Sequence, residues 1–129
     1  MLMVAMCRGI VIFAHGSSMA SANEAVKRVA EEASAAGGFA LVETAFLEAQ
    51  PDLEKAVARL AERGATRILV IPYFLTLGIH LQRDLPAIVE RLSVANPGVE
   101  IKVTAPLDGH PGLVEILVDR AKEDLTITH

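Results

Sequence analysis

The chain is poor in the features that mark several common protein classes. It has one cysteine, Cys7, so no internal disulfide can form and a reducing cytoplasm is the natural setting. With no activating partner nearby in sequence, Cys7 reads as a small core residue near a strand rather than a nucleophile. No run of five or more basic residues occurs, and a net charge of −4 offers no electrostatic footprint for nucleic acid. Long apolar runs are missing too. The opening MLMVAMCR lacks a basic leading segment and its apolar run stops at Arg8, which excludes a signal-peptide core; Met1, Met3 and Met6 could each serve as a start. Ile68 to Leu81 is interrupted by Pro72, Gly78 and His80 and falls short of a bilayer span, so no membrane segment is expected. There is no linker, low-complexity stretch or internal repeat.

What is present suits a globular fold. At 129 residues and 52 % apolar content, the chain is expected to form a single domain over residues 1–129 with a substantial core. Two continuous apolar runs, Gly9 to Ala14 and Ile68 to Ile71, read as strands buried on both faces. Ala40 to Phe46 and Val99 to Val103 are further strands. Helical spacing links Ala22, Ala25, Val26, Val29, Ala30 and Ala33, with Ser21 and Glu24 as a capping box and Gly37-Gly38 as the stop. Pro51 and Asp52 open a second helix with Leu53, Ala56, Val57, Leu60 and Ala61 on one face, closed by Gly64.

The third helix is expected to start at Asp84 as cap, with Pro86 in its first turn and Leu85, Ile88, Val89 and Leu92 inward; His80 then lies on the preceding loop. Asn96-Pro97-Gly98 is a turn. Pro106 to Gly112 leads to a last helix with Leu113, Ile116, Leu117 and Ala121 inward, and residues 126–129 read as a frayed tail.

Strands alternating with helices imply an α/β fold: a three-layer sandwich with a four-stranded parallel sheet, helices on both faces and the order 2-1-3-4. In that order the first and third strands are neighbours whose connections diverge, and their carboxyl ends define a crevice. His15 follows the first strand, Glu48 the second and His80 the third, so two imidazoles and a carboxylate are expected on one rim. A lone histidine after a strand more often caps or fills a loop. Two at neighbouring strand ends suggest more, since imidazole is both a transition-metal ligand and a proton acceptor near neutral pH. Glu48 could equally support the following helix. His110, in a Gly/Pro-rich loop, reads as structural, and His129 is terminal.

Gly16, in His15-Gly16-Ser17-Ser18, permits close backbone approach, and the helix after it could direct N–H groups at an anion. The loop is neither a Walker loop nor G-x-G-x-x-G. No G-x-S-x-G elbow or Ser-His-Asp arrangement is evident, which disfavours a hydrolase.

These residues carry a family resemblance. The strand followed by His15 to Ser17, the segment AFLEAQPDL (Ala45 to Leu53), PYFLTLGIHLQRDLP (Pro72 to Pro86) and PLDGHPGL (Pro106 to Leu113) resemble the small class II chelatases. These are the CbiX-type sirohydrochlorin cobaltochelatases and the similar sirohydrochlorin ferrochelatases. The likeness spans nearly the whole chain in order, and its most specific part is Gly78, His80, Asp84, Leu85 and Pro86. One departure is Ser18, where many members carry arginine.

The resemblance implies a chelatase-like (flavodoxin-like) sandwich that inserts a divalent metal, Co2+ or alternatively Fe2+ or Ni2+, into sirohydrochlorin without ATP or an organic cofactor. It implies that His15 and His80 hold the metal or accept pyrrole protons, with Glu48 on the metal and substrate side. Leu75, Thr76, Leu77, Gly78 and Ile79 would line the macrocycle beside His80. The chemistry is consistent with that inventory, because a tetrapyrrole sheds two protons as the metal enters and needs a nearby base. Few ligands leave positions open for the incoming nitrogens. A homodimer is expected because a shallow crevice would have to enclose a broad macrocycle, and because longer relatives look like two such domains fused. A non-catalytic metal or tetrapyrrole carrier is the alternative, separated by turnover. A flavodoxin-like module for a phosphate-bearing cofactor is a third reading, which a bound flavin would favour.

Overall fold

A computed structural model describes residues 8–126, so the expectations for Cys7, for Met1, Met3 and Met6, and for His129 lie outside the described residues. Four parallel strands form one sheet in the order β2-β1-β3-β4, as expected. They are β1 (Arg8–Ala14), β2 (Leu41–Phe46), β3 (Arg67–Pro72) and β4 (Glu100–Val103), alternating with α1 (Ala20–Gly37), α2 (Leu53–Glu62), α3 (Ile79–Ala95) and α4 (Pro111–Thr126). In the register, Val11 faces Glu43 on one side and Val70 on the other.

The two sheet faces differ. One carries the main core: Val11, Phe13, Ala45, Ile68 and Val70 pack with Leu53, Ala56, Val57 and Leu60 of α2 and Leu85 and Leu92 of α3. The other carries a smaller cluster of buried residues, Ile10, Ile12 and Ala30, with the partly buried Val26, Val42 and Ile71 packed against it. The expectation that the third strand is buried on both faces therefore needs correcting. Ile68, Val70 and Pro72 are buried, whereas Arg67, Leu69 and Ile71 between them are only half-buried. α1 lies over β2 and β1 on that face, and Ile71 of β3 packs against the same cluster.

α2 begins and ends where the sequence indicates. The Asp52 carboxylate accepts the Lys55 N–H at 2.9 Å as N-cap. At the other end Gly64 takes φ +99°, and Ala65 N–H donates to Leu60 O at 3.0 Å while Gly64 N–H donates to Ala61 O at 3.0 Å. That is a Schellman closure, which satisfies carbonyls the helix would leave unpaired.

Three other expectations change. The Ser21/Glu24 capping box does not form, because α1 starts at Ala20 and Ser21 is already inside it. No side chain caps the helix in its place; Asn23 Oδ1 accepts the Ser17 N–H at 3.0 Å and ties the preceding loop to α1. α3 starts at Ile79 with Gly78 as cap, not at Asp84, so His80 sits in a first helical turn rather than on a loop. The Gly78 carbonyl accepts Gln82 N–H at 2.9 Å and starts the helix early, leaving Pro86 in its interior, where burial of Leu85 and Leu92 holds the helix together. Finally, α4 forms, but Ile116 is 52 % and Leu117 69 % exposed, and Ala121 is exposed too; none of the three points inward within this chain. Helical spacing marks an apolar side without supplying a surface for it to meet. α4 runs to Thr126, so that residue belongs to the helix and the rest of the expected frayed tail lies outside the described residues.

Candidate active site

Parallel pairing puts the carboxyl ends of β1, β2 and β3 on one rim. The ladder continues past the strands: Leu47 N–H donates to Ala14 O at 2.9 Å and Glu48 N–H to His15 O at 2.8 Å. These backbone bonds set Glu48 opposite His15. The side chains follow, with His15 Nε2 at 3.4 Å from Glu48 Oε2. His15 Nδ1 lies 3.0 Å from the Gly16 carbonyl, an acceptor only, so Nδ1 carries the hydrogen in that bond and Nε2 is the atom presented to Glu48. At 59 % and 66 % exposed the pair contributes little to stability, which leaves both groups available for chemistry.

Gly16 has a clear structural reason. It takes φ +87°, and an added Cβ would come within 2.9 Å of Phe46 Cβ and 3.1 Å of Ala49 Cβ. The close approach it permits is therefore to the chain that carries Glu48. The anion-binding reading of the loop loses two donors, since Ser17 N–H is taken by Asn23 Oδ1 and Met19 N–H by Ser17 Oγ at 3.0 Å.

On the β3 side, Tyr73 N–H donates to Phe13 O at 2.7 Å and keeps the following loop against β1. His80 is exposed, with Nδ1 3.2 Å from Arg83 Nη2; arginine only donates, so Nδ1 accepts there. Arg83 also meets Asp84, Nε to Oδ1 at 3.3 Å. Apolar side chains surround this rim in the open: Leu47, Tyr73, Leu75 and Ile79, the last 76 % exposed. Thr76 and Gly78 are exposed as well, whereas Leu77 packs against the main core.

One neighbour escaped the sequence reading. Asp108 N–H donates to Leu75 O at 2.7 Å, which brings a carboxylate-bearing loop beside the His80 loop. The only signal was its place in PLDGHPGL. His110 behaves as expected of a structural residue, its Nδ1 accepting Gly112 N–H at 2.9 Å at the start of α4. Among the described residues no three His, Cys, Asp or Glu side chains gather closely enough to hold a metal ion by themselves. His15 and Glu48 meet each other; His80 meets Arg83. A cavity of about 410 Å³ lies at the β2 edge between Lys27, Glu31, Glu43 and Arg59, and none of its lining residues belongs to this rim.

Comparison with known proteins gives consistent matches. The model of the CbiX family matches residues 9–124. The sirohydrochlorin cobaltochelatase of Methanopyrus kandleri is 30% identical over 137 residues, covering 90% of this chain and 96% of that protein. The chloroplastic sirohydrochlorin ferrochelatase of Arabidopsis thaliana is 30% identical over 92% of this chain but only 53% of its own length. Among solved structures, the sirohydrochlorin chelatase SirB of Bacillus subtilis subspecies spizizenii, in complex with cobalt, superposes with a TM-score of 0.83 at 26% identity, over 92% of this chain and 51% of that one.

Proposed function

The chain belongs to the CbiX family, and from that premise we propose that it is a sirohydrochlorin chelatase, inserting a divalent metal into the tetrapyrrole without ATP or an organic cofactor. The observation that carries the reading is the His15–Glu48 pair, set by backbone hydrogen bonds on an open rim beside exposed apolar side chains. Two donors at about 2.1 Å from a shared ion, subtending about 110°, stand roughly 3.4 Å apart. Nε2 of His15 and Oε2 of Glu48 have that separation. Two protein ligands hold an ion loosely and leave most of its coordination sphere to the incoming nitrogens.

In this reading the metal is a substrate that passes through. His15 and Glu48 present it, and Leu75 and Ile79 with Thr76 and Gly78 receive a face of the macrocycle. His80, across the rim, takes a pyrrole proton. Arg83 occupies the Nδ1 atom of His80, so it must swing away before that nitrogen can accept. A carboxylate of the substrate is a suitable partner to draw it off. Leu77, turned to the core, supports the loop from beneath.

Cobalt and iron are the metals named for the related proteins, and nickel belongs to the same ligand chemistry. The setting we propose is the cytoplasm, in the synthesis of cobalamin or siroheme-type tetrapyrroles, and the working unit is a homodimer. Among the described residues no helix is long and apolar enough to cross a membrane. The fact that this chain spans about half of the plant enzyme and of SirB supports the dimer, since two copies supply the missing half.

The test is insertion of Co2+, Fe2+ and Ni2+ into sirohydrochlorin, each followed by absorbance. Product well beyond one equivalent per chain is expected with cobalt or iron. Product that stops at one equivalent would make the protein a carrier.

A further inference from the structure

We propose that Arg83 is a latch on His80 that a carboxylate of the substrate opens, so that the chain selects anionic tetrapyrroles during turnover as well as on binding. The inference deepens the chelatase reading and rests on it.

The two imidazoles of the rim are not equivalent at rest. His15 directs its Nδ1 hydrogen at the Gly16 carbonyl, 3.0 Å away, which leaves the lone pair of Nε2 on offer beside Glu48. His80 is the reverse case. Its Nδ1 lies 3.2 Å from Arg83 Nη2, and a guanidinium has no lone pair to give. The Nδ1 lone pair is therefore covered, and the hydrogen of the neutral ring sits on Nε2. In that state neither nitrogen of His80 has a lone pair free for an incoming group. The guanidinium has to leave first.

Position suits Arg83 to this task. His80 and Arg83 are three residues apart near the start of α3, so their side chains share one side of the helix. Ile79, four residues before Arg83, is 76 % exposed and belongs to the apolar surface that receives the macrocycle in the reading above. A side chain on the edge of a ring seated there arrives beside the guanidinium.

The chemistry suits it too. Asp84 Oδ1 holds Arg83 Nε at 3.3 Å, so the guanidinium rests between one charged acceptor and one neutral one. His80 is the weaker hold. A carboxylate attracts the guanidinium with a full charge and accepts two N–H groups in parallel, whereas the imidazole offers one uncharged lone pair. A second carboxylate, carried by the substrate, displaces His80 and can leave Asp84 in place. The Arg83 side chain is 69 % exposed and has solvent to move into. An exposed charged contact shifts an equilibrium by about fivefold, which sets the size of the effect.

The test compares sirohydrochlorin with its methyl ester, which keeps the ring and loses the peripheral charges, each at saturation with Co2+. For the unaltered chain, kcat with the ester should be about fivefold below kcat with the free acid. In Arg83→Ala that ratio should fall to about one, because kcat with the ester rises. KM for the free acid should rise in the same variant, since the guanidinium that met its carboxylate is gone. Equal kcat values in the unaltered chain, or a ratio that persists in Arg83→Ala, overturn the latch and leave the chelatase reading standing. No insertion into either form by the unaltered chain removes the chelatase reading and the latch with it. The resting state is read separately, without turnover, from the ring nitrogens of His80 by NMR at a pH where the ring is neutral, with His80→Gln to identify the signals. A single form with hydrogen on Nε2 is expected, giving way in Arg83→Ala to the mixture of a free imidazole. That mixture in the unaltered chain would show Nδ1 uncovered and overturn the latch.

Discussion

At the scale of residues, the rim combines one placement fixed by backbone hydrogen bonds with exposed side chains. Removal of an acid–base group typically costs a factor of about 10²–10⁴, so His15→Ala and His80→Ala should each slow insertion by at least ~10²-fold. Both side chains are exposed, and the fold should persist, as circular dichroism would show. Full activity in either variant removes that histidine from the proposed site. Glu48→Gln keeps the shape and loses the charge, so a smaller slowing is expected; unfolding with unchanged activity per folded chain would make Glu48 a support for α2. Gly16→Ala is a different kind of change. It combines a positive φ with a Cβ 2.9 Å from Phe46 Cβ, and strain of this kind costs of order 1–3 kcal/mol. We expect a lower thermal midpoint together with lost activity, since the displaced segment is the one that sets Glu48 against His15. An unchanged midpoint would show that the loop has room to shift.

Among the elements, local signals were legible and tertiary ones were not. Asp52 and Gly64 bound α2 through hydrogen bonds within a few residues of themselves, and the sequence shows both. Asp84 and Pro86 carry the usual marks of a first turn, and the sequence alone places the start of α3 there. The chain instead tolerates a proline inside the helix because Leu85 and Leu92 are buried on either side of it. The apolar side of α4 was legible too, but periodicity does not say what lies against it. The meeting of His15 with Glu48 followed from strand order, whereas their spacing comes from backbone bonds no pattern encodes. Pro86 offers a test. It is exposed, its ring nitrogen cannot donate to Gln82 O, and proline inside a helix is about 3 kcal/mol worse than alanine. Pro86→Ala should therefore stabilise the fold by up to roughly that amount, read as a higher urea midpoint. A fall in the midpoint would mean that the ring packs against something that alanine cannot replace.

For the whole molecule, stability and concentration are expected to be linked. The proposed homodimer would gain stability by mass action, so the thermal midpoint should rise with protein concentration. A midpoint unchanged across a hundredfold range would indicate a self-sufficient monomer.

The order of the elements along the chain also sets an order in time. His15, Glu48 and His80 all precede β4 and α4, and β1 finds its central neighbour once Pro72 has been made. During synthesis the rim that carries His15, Glu48 and His80 can therefore assemble before β4 and α4 have been made. The strands that set Glu48 against His15 are thus made while the edge strand and its helix are still to come, so the site belongs to the early part of the fold rather than to its last addition.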